Sequence, residues 1–165
     1  MKPYIQKTSS RIIVKLDDVI MARMRKVLAN VIRHYRRSPA DTRGWDDELR
    51  QCQYTTESGR YCAVGLHLRE LHKTHEWPHN DSSLEDISGM FKYADRVFSS
   101  PTLDEYLEPE WGGIPVGFWG DVQSFHDADE NWLTGQMLKA DGVMDIGISK
   151  DGMNNIKRIK DEWNL

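Results

Sequence analysis

The chain has 165 residues and a formal net charge of −4, with 39% hydrophobic and 29% charged residues. This mixture is typical of a globular domain that buries a core, and it excludes a disordered or fibrous chain. No apolar run approaches the roughly 20 residues that span a bilayer, and the N-terminal stretch MKPYIQKTSS lacks the apolar segment of a secretion signal. We therefore predict a cytoplasmic protein without membrane association, in which Cys52 and Cys62 are reduced thiols.

The first predicted element is an amphipathic helix over residues 16–37. Apolar residues recur there at steps of three and four, which is the spacing of one helix face. Asp17 and Asp18 lie in its first turn and arginines in its last, as the helix dipole favours. Ser38-Pro39 should end this helix.

Further helices are predicted from spacing and capping signals. They cover a short segment from about Trp45 and the ranges 61–73, 84–100, 116–127 and 149–163. Ser83 and Ser149 are the expected N-terminal caps of the helices that follow them.

Strand signals are limited to RIIVKL and VMDIGI, which begin at Arg11 and Val143. The sequence therefore predicts a mainly α fold with little or no β structure. We expect a single compact domain over residues 1–165, with five or six helices and long irregular loops, and with residues 1–10 as the candidate for a flexible terminus.

Charge is unevenly divided along this domain. Residues 1–75 carry a balance of +7 and residues 76–165 a balance of −11. Such an asymmetry can mark an interaction surface. Attraction between the two halves within one fold is the simpler interpretation.

Cys62, in the stretch GRYCAVGLHLREL, is the candidate nucleophile. In the predicted helix over 61–73 it falls in the first turn, where unpaired backbone N–H groups and the dipole lower a thiol pKa. The alternative is a packing residue, because free cysteine is among the most buried residue types. The sequence leaves both interpretations open.

A cysteine nucleophile needs a base, and His126 is the best candidate. Asp129 or Asn131 would orient it. Asp127 is a poor choice, since adjacent residues on a helix point apart. The resulting hypothesis is a cysteine–histidine hydrolase or acyl transferase.

These residues also carry a resemblance. Tyr61 and Cys62 open a Cys-x-x-Gly segment that ends at Gly65, and His126-Asp127 follows far downstream. This arrangement resembles small uncharacterised proteins of bacteria and their phages. The resemblance implies no known activity, but it implies an accessory protein of a phage or mobile element that acts on a host macromolecule.

Two patterns were considered as metal sites. His72, His75 and His79 lie close together, yet Trp77-Pro78 should break the helix before the third histidine. The stretch DADENW begins like a calcium loop, but it has Trp132 where that loop needs glycine. We predict no metal ligand and no cofactor.

Two surfaces are candidates for partner binding. Aromatic residues with an acidic rim suggest a protein-binding patch, formed by Tyr106, Glu108, Glu110, Trp111 and Trp119. A basic segment over residues 33–43 suggests phosphate contacts with nucleic acid, through Arg33, Arg36 and Arg37. We favour a small acidic binding protein whose partner is another protein. The cysteine enzyme is the first alternative, and nucleic-acid binding is the second.

Overall fold

The computed structural model describes residues 4–8, 11–15, 17–46, 48–49, 51–88, 102–133 and 147–165. The fold of these residues is mainly helical, as predicted. The α-helices, in chain order, are α1 (Asp18–Tyr35), α2 (Pro39–Thr42), α3 (Leu84–Ser88), α4 (Val116–Asp127) and α5 (Lys150–Trp163). None of the described helices is long and apolar enough to cross a membrane.

Helix α1 forms where the apolar spacing predicts it. The Asp17 side chain accepts a hydrogen bond from the Ile20 N–H at 2.8 Å and caps the first turn. The centre of its apolar face is buried, from Met24 to Tyr35, while Val19 in the first turn and Arg33 in the last are exposed. Helix α1 stops before Ser38-Pro39 because the residue that precedes proline disfavours helical geometry.

The described residues contain two short antiparallel hairpins and several isolated β-bridges. Strand β1 (Tyr4–Thr8) pairs with β2 (Arg11–Lys15), and β3 (Trp45–Asp46) pairs with β4 (Gln51–Cys52). The strand candidate RIIVKL forms β2 over Arg11–Lys15, and residues 4–8 pair with it.

The helix predicted from Trp45 is wrong, since Trp45 lies in β3. The Asp46 carboxylate accepts hydrogen bonds from the Glu48 and Leu49 N–H groups, both at 2.9 Å. This local turn competes with helix formation and reverses the chain.

The helix predicted over 61–73 is also wrong. Two single 3₁₀ turns, Gly65–His67 and Glu70–His72, stand in its place, and Leu68 is extended between them. The segment instead pairs with a distant one. The Arg69 N–H donates to the Tyr106 carbonyl at 2.9 Å, and the His67 carbonyl accepts from the Glu108 N–H at 3.2 Å. These non-local bonds take the backbone groups that a helix would use.

The later helices follow the sequence closely. Helix α4 has the predicted bounds, and Ser149 caps α5 by accepting from the Gly152 N–H at 3.0 Å. Helix α3 begins where expected. The rest of its predicted range lies outside the described residues, as do residues 143–146 of the second strand candidate.

Helices α1 and α4 pack on a common core with α5 behind α4. The largest fully buried side chains include Trp119, Tyr35, Phe118 and Phe125. The C-terminal turn of α4 therefore meets this core on one side and the β3–β4 hairpin on the other, and polar residues converge at that junction.

Candidate functional site

Three polar residues lie along one side of the last turns of α4. Gln123, His126 and Asp127 stand at positions i, i+3 and i+4, which bring side chains together on a helix. Strand β4 ends beside them and contributes Cys52. The site therefore combines a hairpin and a helix end that are 71 residues or more apart in sequence.

Three of these side chains converge on a small volume. The Cys52 Sγ lies 3.8 Å from the His126 Nδ1, and the same nitrogen lies 2.7 Å from the Asp127 Oδ1. All three atoms lie within 4.8 Å of one another. We refer to these residues as the Cys52–His126–Asp127 cluster.

Gln123 holds the cluster together. Its Nε2 donates to the Cys52 Sγ at 3.0 Å and to the Asp127 Oδ1 at 2.7 Å. Its Oε1 accepts from the Val64 N–H at 3.3 Å. The amide thus fixes the thiol and the carboxylate and ties both to the turn after Cys62.

Cys62 lies next to the cluster but in a different environment. It is 1% exposed, and its Sγ accepts a hydrogen bond from the Gly65 N–H at 3.3 Å. It stands before a single 3₁₀ turn and not at the start of the expected α-helix. The described geometry therefore does not provide the helix N-terminus on which its predicted activation depended.

The charge state of the cluster follows from its burial. His126 is 0% exposed, and burial lowers its pKa although Asp127 acts in the opposite direction. The pKa of Cys52 is raised, first by its hydrogen bond with Cys62, then by burial and by the nearby Asp127 charge. At neutral pH the cluster alone therefore holds a neutral imidazole and a protonated Cys52 thiol.

A cavity of about 250 Å³ opens beside the cluster. Its lining includes Cys52, Cys62, Gln123 and Asp127 on one side and Asn80, Asp81, Ser82 and Ser83 on the other. Asn80 is fixed by two hydrogen bonds of 3.0 Å to the Thr55 backbone, and Asp81 accepts from the Gln53 amide at 3.1 Å. The far wall is thus polar and well supported.

The residues predicted to orient His126 lie elsewhere. The Asp129 carboxylate pairs with Arg43 at 2.7 Å, and the Asn131 amide donates to the Phe125 carbonyl at 2.9 Å. Asp127 contacts the imidazole instead. The expectation that sequence neighbours point apart fails here because α4 ends at Asp127, and the carboxylate reaches back to the His126 ring.

The proposed aromatic docking patch is not an exposed surface. Trp111 is 5% exposed and Trp119 is 0% exposed, so both belong to the core. Tyr106 is half-buried, and Glu108 and Glu110 lie at the edge of these rings. An aromatic anchor needs to reach a partner, and these indoles cannot do so in this fold.

The basic segment divides between surface and core. Arg33 and Arg37 are exposed and Arg36 is half-buried. Tyr35 is the aromatic residue within this segment that could stack on a nucleic-acid base, but it is fully buried and its hydroxyl donates to the Tyr61 carbonyl at 2.7 Å. The arginines remain candidates for phosphate contacts without the tyrosine.

Two of the histidines considered as metal ligands pack against an aromatic ring. His72 and His79 lie 5.2 Å and 5.5 Å from Trp77, measured between ring centroids, whereas His75 is exposed. In the described structure His72 and His79 therefore pack at the core edge.

Sequence reasoning missed Cys52, Gln123 and Asp127 as site residues. The sequence pattern could have identified Gln123 and Asp127, because both share a helix face with His126. No local signal identifies Cys52, since only the β3–β4 hairpin carries it to the end of α4. No known family model matches the chain, and neither a curated protein nor a solved structure shows significant similarity to it.

Proposed function

We propose that the protein is a metal-dependent hydrolase with a Zn²⁺ site formed by Cys52, His126 and Asp127. The observation that carries this proposal is the convergence of a sulfur, a nitrogen and a carboxylate oxygen within 4.8 Å beside a cavity. These are the three donor types that Zn²⁺ accepts in proteins. The proposal replaces the earlier expectation of a protein without a metal.

The distances suit a single ion. Tetrahedral Zn²⁺ with ordinary bond lengths places two ligand atoms about 3.3–3.6 Å apart. The Cys52 Sγ and His126 Nδ1, at 3.8 Å, are close to this separation. For Nδ1 to coordinate the cation, the imidazole proton that it shares with Asp127 would move to Nε2, and the His126–Asp127 contact of 2.7 Å would widen.

Electrostatics also favours a cation. Metal binding would deprotonate the Cys52 thiol, and a thiolate at such a position is stable only when it is paired or coordinates a metal. Asp127 already accepts hydrogen bonds from Gln123 and His126, and Arg43 reaches its backbone carbonyl, at 2.7 Å, rather than its carboxylate. A divalent ion would neutralise Asp127 and Cys52 together, and it would bind the lone pair of the neutral imidazole.

The cavity favours catalysis over a structural role. Structural zinc sites have four protein ligands, whereas catalytic sites have three and leave one position for water or substrate. Here the 250 Å³ cavity adjoins Cys52 and Asp127, and Asp81 faces them as a second carboxylate. A bound Zn²⁺ would act as a Lewis acid on water or a substrate carbonyl. Asp81 would accept the proton released during hydrolysis.

Thiol chemistry is the second candidate, because the Cys52 Sγ lies near a histidine nitrogen. In that case Cys52, rather than Cys62, would be the nucleophile of a hydrolase or acyl transferase. Two features weigh against it. Burial and the neighbouring acidic groups raise the pKa of Cys52, and the thiol and Asp127 both face the same Nδ1 instead of opposite ring nitrogens.

The test is a titration of the reduced, metal-free protein with Co²⁺, followed by displacement with Zn²⁺. We expect one equivalent of Co²⁺ to produce the thiolate charge-transfer band and the intense visible bands of a four-coordinate site. Cys52→Ser should remove the charge-transfer band. Cys62→Ser is the matched control, since it makes the same cysteine-to-serine change at a neighbouring cysteine that is not a proposed ligand. It should retain the band.

The outcomes separate the candidates. A band lost in both variants would indicate two cysteine ligands and a closed structural site, which contradicts the open catalytic position. If no Co²⁺ binds, and iodoacetamide labels Cys52 rapidly at neutral pH, the thiol enzyme is correct. Hydrolysis is tested with ester, amide and phosphodiester model substrates. Metal binding without Zn²⁺-dependent turnover of any of them would contradict the hydrolase and leave only a metal-binding protein.

Other features remain proposals from the sequence. They are the five or six helices of the whole chain, the cytoplasmic location, the macromolecular partner and the role as an accessory protein of a phage or mobile element. A hydrolytic site is compatible with such a role, because the substrate would then belong to the host.

A further inference from the structure

A second cavity, of about 610 Å³, lies beside the C-terminal half of α1, and its inner wall includes the buried residues His67 and Trp111. We call it the His67 groove. The α1 side contributes Asn30, Arg33, His34 and Arg37, and the remaining lining consists of Leu66, His67, Lys73, Glu108, Glu110 and Trp111. Its volume lies within the range of about 300–1,000 Å³ that is usual for small-molecule sites.

His67 contributes a hydrogen-bond acceptor that is not satisfied. The residue is 3% exposed, and its Nδ1 donates to the Ala63 carbonyl at 2.8 Å. Burial lowers the pKa of His67 to about 4, so the ring is neutral at pH 7 and its Nε2 carries a lone pair. Among the residues that the structure describes, no donor reaches this buried Nε2. A buried acceptor without a partner is costly, and a ligand N–H or O–H would satisfy it.

A second acceptor stands next to His67. The Glu108 N–H donates to the His67 carbonyl at 3.2 Å, so the two residues are neighbours, and both side chains line the groove. Glu110 is less available, because its carboxylate pairs with Lys26 at 3.1 Å. The groove lining therefore includes an imidazole nitrogen and a carboxylate on two residues that are joined through their backbones.

The α1 side offers the opposite charge. Arg33 lies in the last turn of α1 and Arg37 lies two residues beyond its end, and both line the groove. Both are exposed, and within the described ranges neither has a hydrogen bond or an ion pair. Guanidinium groups bind phosphate through paired hydrogen bonds. Lys73 contributes less, since it is already paired with Glu70 at 2.9 Å.

We propose that the His67 groove binds a guanine nucleoside monophosphate. The guanine edge presents its N1–H and N2–H₂ donors side by side, which matches the adjacent His67 and Glu108 acceptors. The phosphate meets Arg33 and Arg37. Neither the metal site nor the hydrolase proposed above is required for this binding, so the two proposals stand or fall separately.

The test is calorimetric titration of the full-length protein with GMP, AMP and inorganic phosphate at low salt. We expect GMP to bind at least about 10-fold more tightly than AMP, because adenine lacks the N1–H and leaves a buried acceptor unpaired. Inorganic phosphate should bind more weakly than either nucleotide. Equal affinity for phosphate and GMP would show a simple anion site and overturn the proposal.

Variants of the arginines and of Glu108 test which residues contact the phosphate and which contact the base. The double variant Arg33→Gln with Arg37→Gln should weaken GMP binding at least about 10-fold. Arg25→Gln is the matched control, since Arg25 is exposed on the same helix but outside the groove. Glu108→Gln should reduce the preference for GMP over AMP while leaving phosphate binding unchanged.

His67→Phe keeps the aromatic packing and removes the acceptor, and its melting temperature shows whether it folds. Glu108→Gln supplies the same test if His67→Phe does not fold. The proposal is overturned if GMP does not bind at millimolar concentration. It is equally overturned if a folded His67→Phe variant and Glu108→Gln both retain the full preference for guanine.

Discussion

The two buried histidines, His67 and His126, lie in regions that differ in the groups around the imidazole. The Nδ1 of His67 donates to a backbone carbonyl, which cannot gain or lose a proton. The Nδ1 of His126 instead faces a carboxylate and a thiol, both of which can. The proton on the His67 Nδ1 is therefore fixed, whereas the metal site proposed at His126 requires the Nδ1 proton to move to Nε2.

The comparison shows that burial alone does not define what a histidine does. Burial lowers the pKa of both rings. The group that faces Nδ1 makes the difference. We propose that His67 can only accept a hydrogen bond from a ligand, whereas His126 takes part in a metal-binding cluster. The turn from Cys62 to His67 links the two regions, since its first residue lines one cavity and its last residue lines the other.

The largest effect is expected where that turn meets the hairpin. A Cβ on Gly65 would collide with the Tyr54 carbonyl, so Gly65→Ala must displace backbone near both sites. We expect a loss of about 4 kcal/mol or more in the free energy of unfolding, measured with urea. Gly120→Ala is the control, because its Cβ meets open space in α4 and the change should be neutral or stabilising. Equal stability of the two variants would contradict this packing.

The next effect is the pH dependence of stability. The pKa of His67 is about 4 in the folded protein and 6.5 in the unfolded chain. The unfolded state thus binds more protons between these values, so His67 destabilises the fold as the pH falls from about 6.5 to 4. We expect a loss of up to about 3 kcal/mol from this group. Unfolding measured across this range should show a smaller loss in His67→Gln. An unchanged pH profile would show that His67 is not the titrating group; His126, which has the same sign, leaves some slope in the variant.

A smaller effect should separate the two regions by function. Gln123 orients both Cys52 and Asp127, and loss of a residue that positions metal ligands typically weakens binding about 10- to 100-fold. We expect this loss of Zn²⁺ affinity in Gln123→Leu, measured by competition with a chelating dye. His67→Gln should bind Zn²⁺ like the unmodified protein. A similar loss in both variants would mean that the regions are not independent.

The smallest effect lies at the rim of the His67 groove. Lys26 and Glu110 form an ion pair at 3.1 Å, and their side chains are 61% and 57% exposed. Exposed pairs contribute about 0–1 kcal/mol, so Lys26→Gln should change the free energy of unfolding by no more than this. The change should shrink further in high salt. A larger loss would show that the Lys26 contact with the Trp111 ring, at 5.0 Å, matters more than the ion pair.

Local patterns were sufficient for the elements that carry their own signals. Helices α1, α4 and α5 combine an apolar face with recognisable ends, and Asp17 and Ser149 cap two of them as expected. His126 was predicted as a functional residue because it ends a helix among polar neighbours. In the structure this histidine lies in the Cys52–His126–Asp127 cluster, and its function stays a proposal.

Sequence patterns failed where a segment distant in the chain forms hydrogen bonds with the backbone groups that a helix would need. The apolar spacing over 61–73 is real, and it indicated a helix that does not form. Pairing of His67 and Arg69 with the segment around Tyr106 takes the backbone bonds instead. Periodicity records which residues prefer burial, but it does not record which backbone groups another segment will bind.

The sequence by itself determined the mainly helical class of the described residues, the bounds of α4 and the caps of α1 and α5. These features depend on contacts within a few residues, which a linear pattern contains. Only the tertiary structure decided that Cys52 meets His126, that Asp127 turns back onto its neighbour, and that His67 and Glu108 lie side by side. Each of these contacts joins atoms whose approach depends on how the hairpin, the turn and the helices pack together.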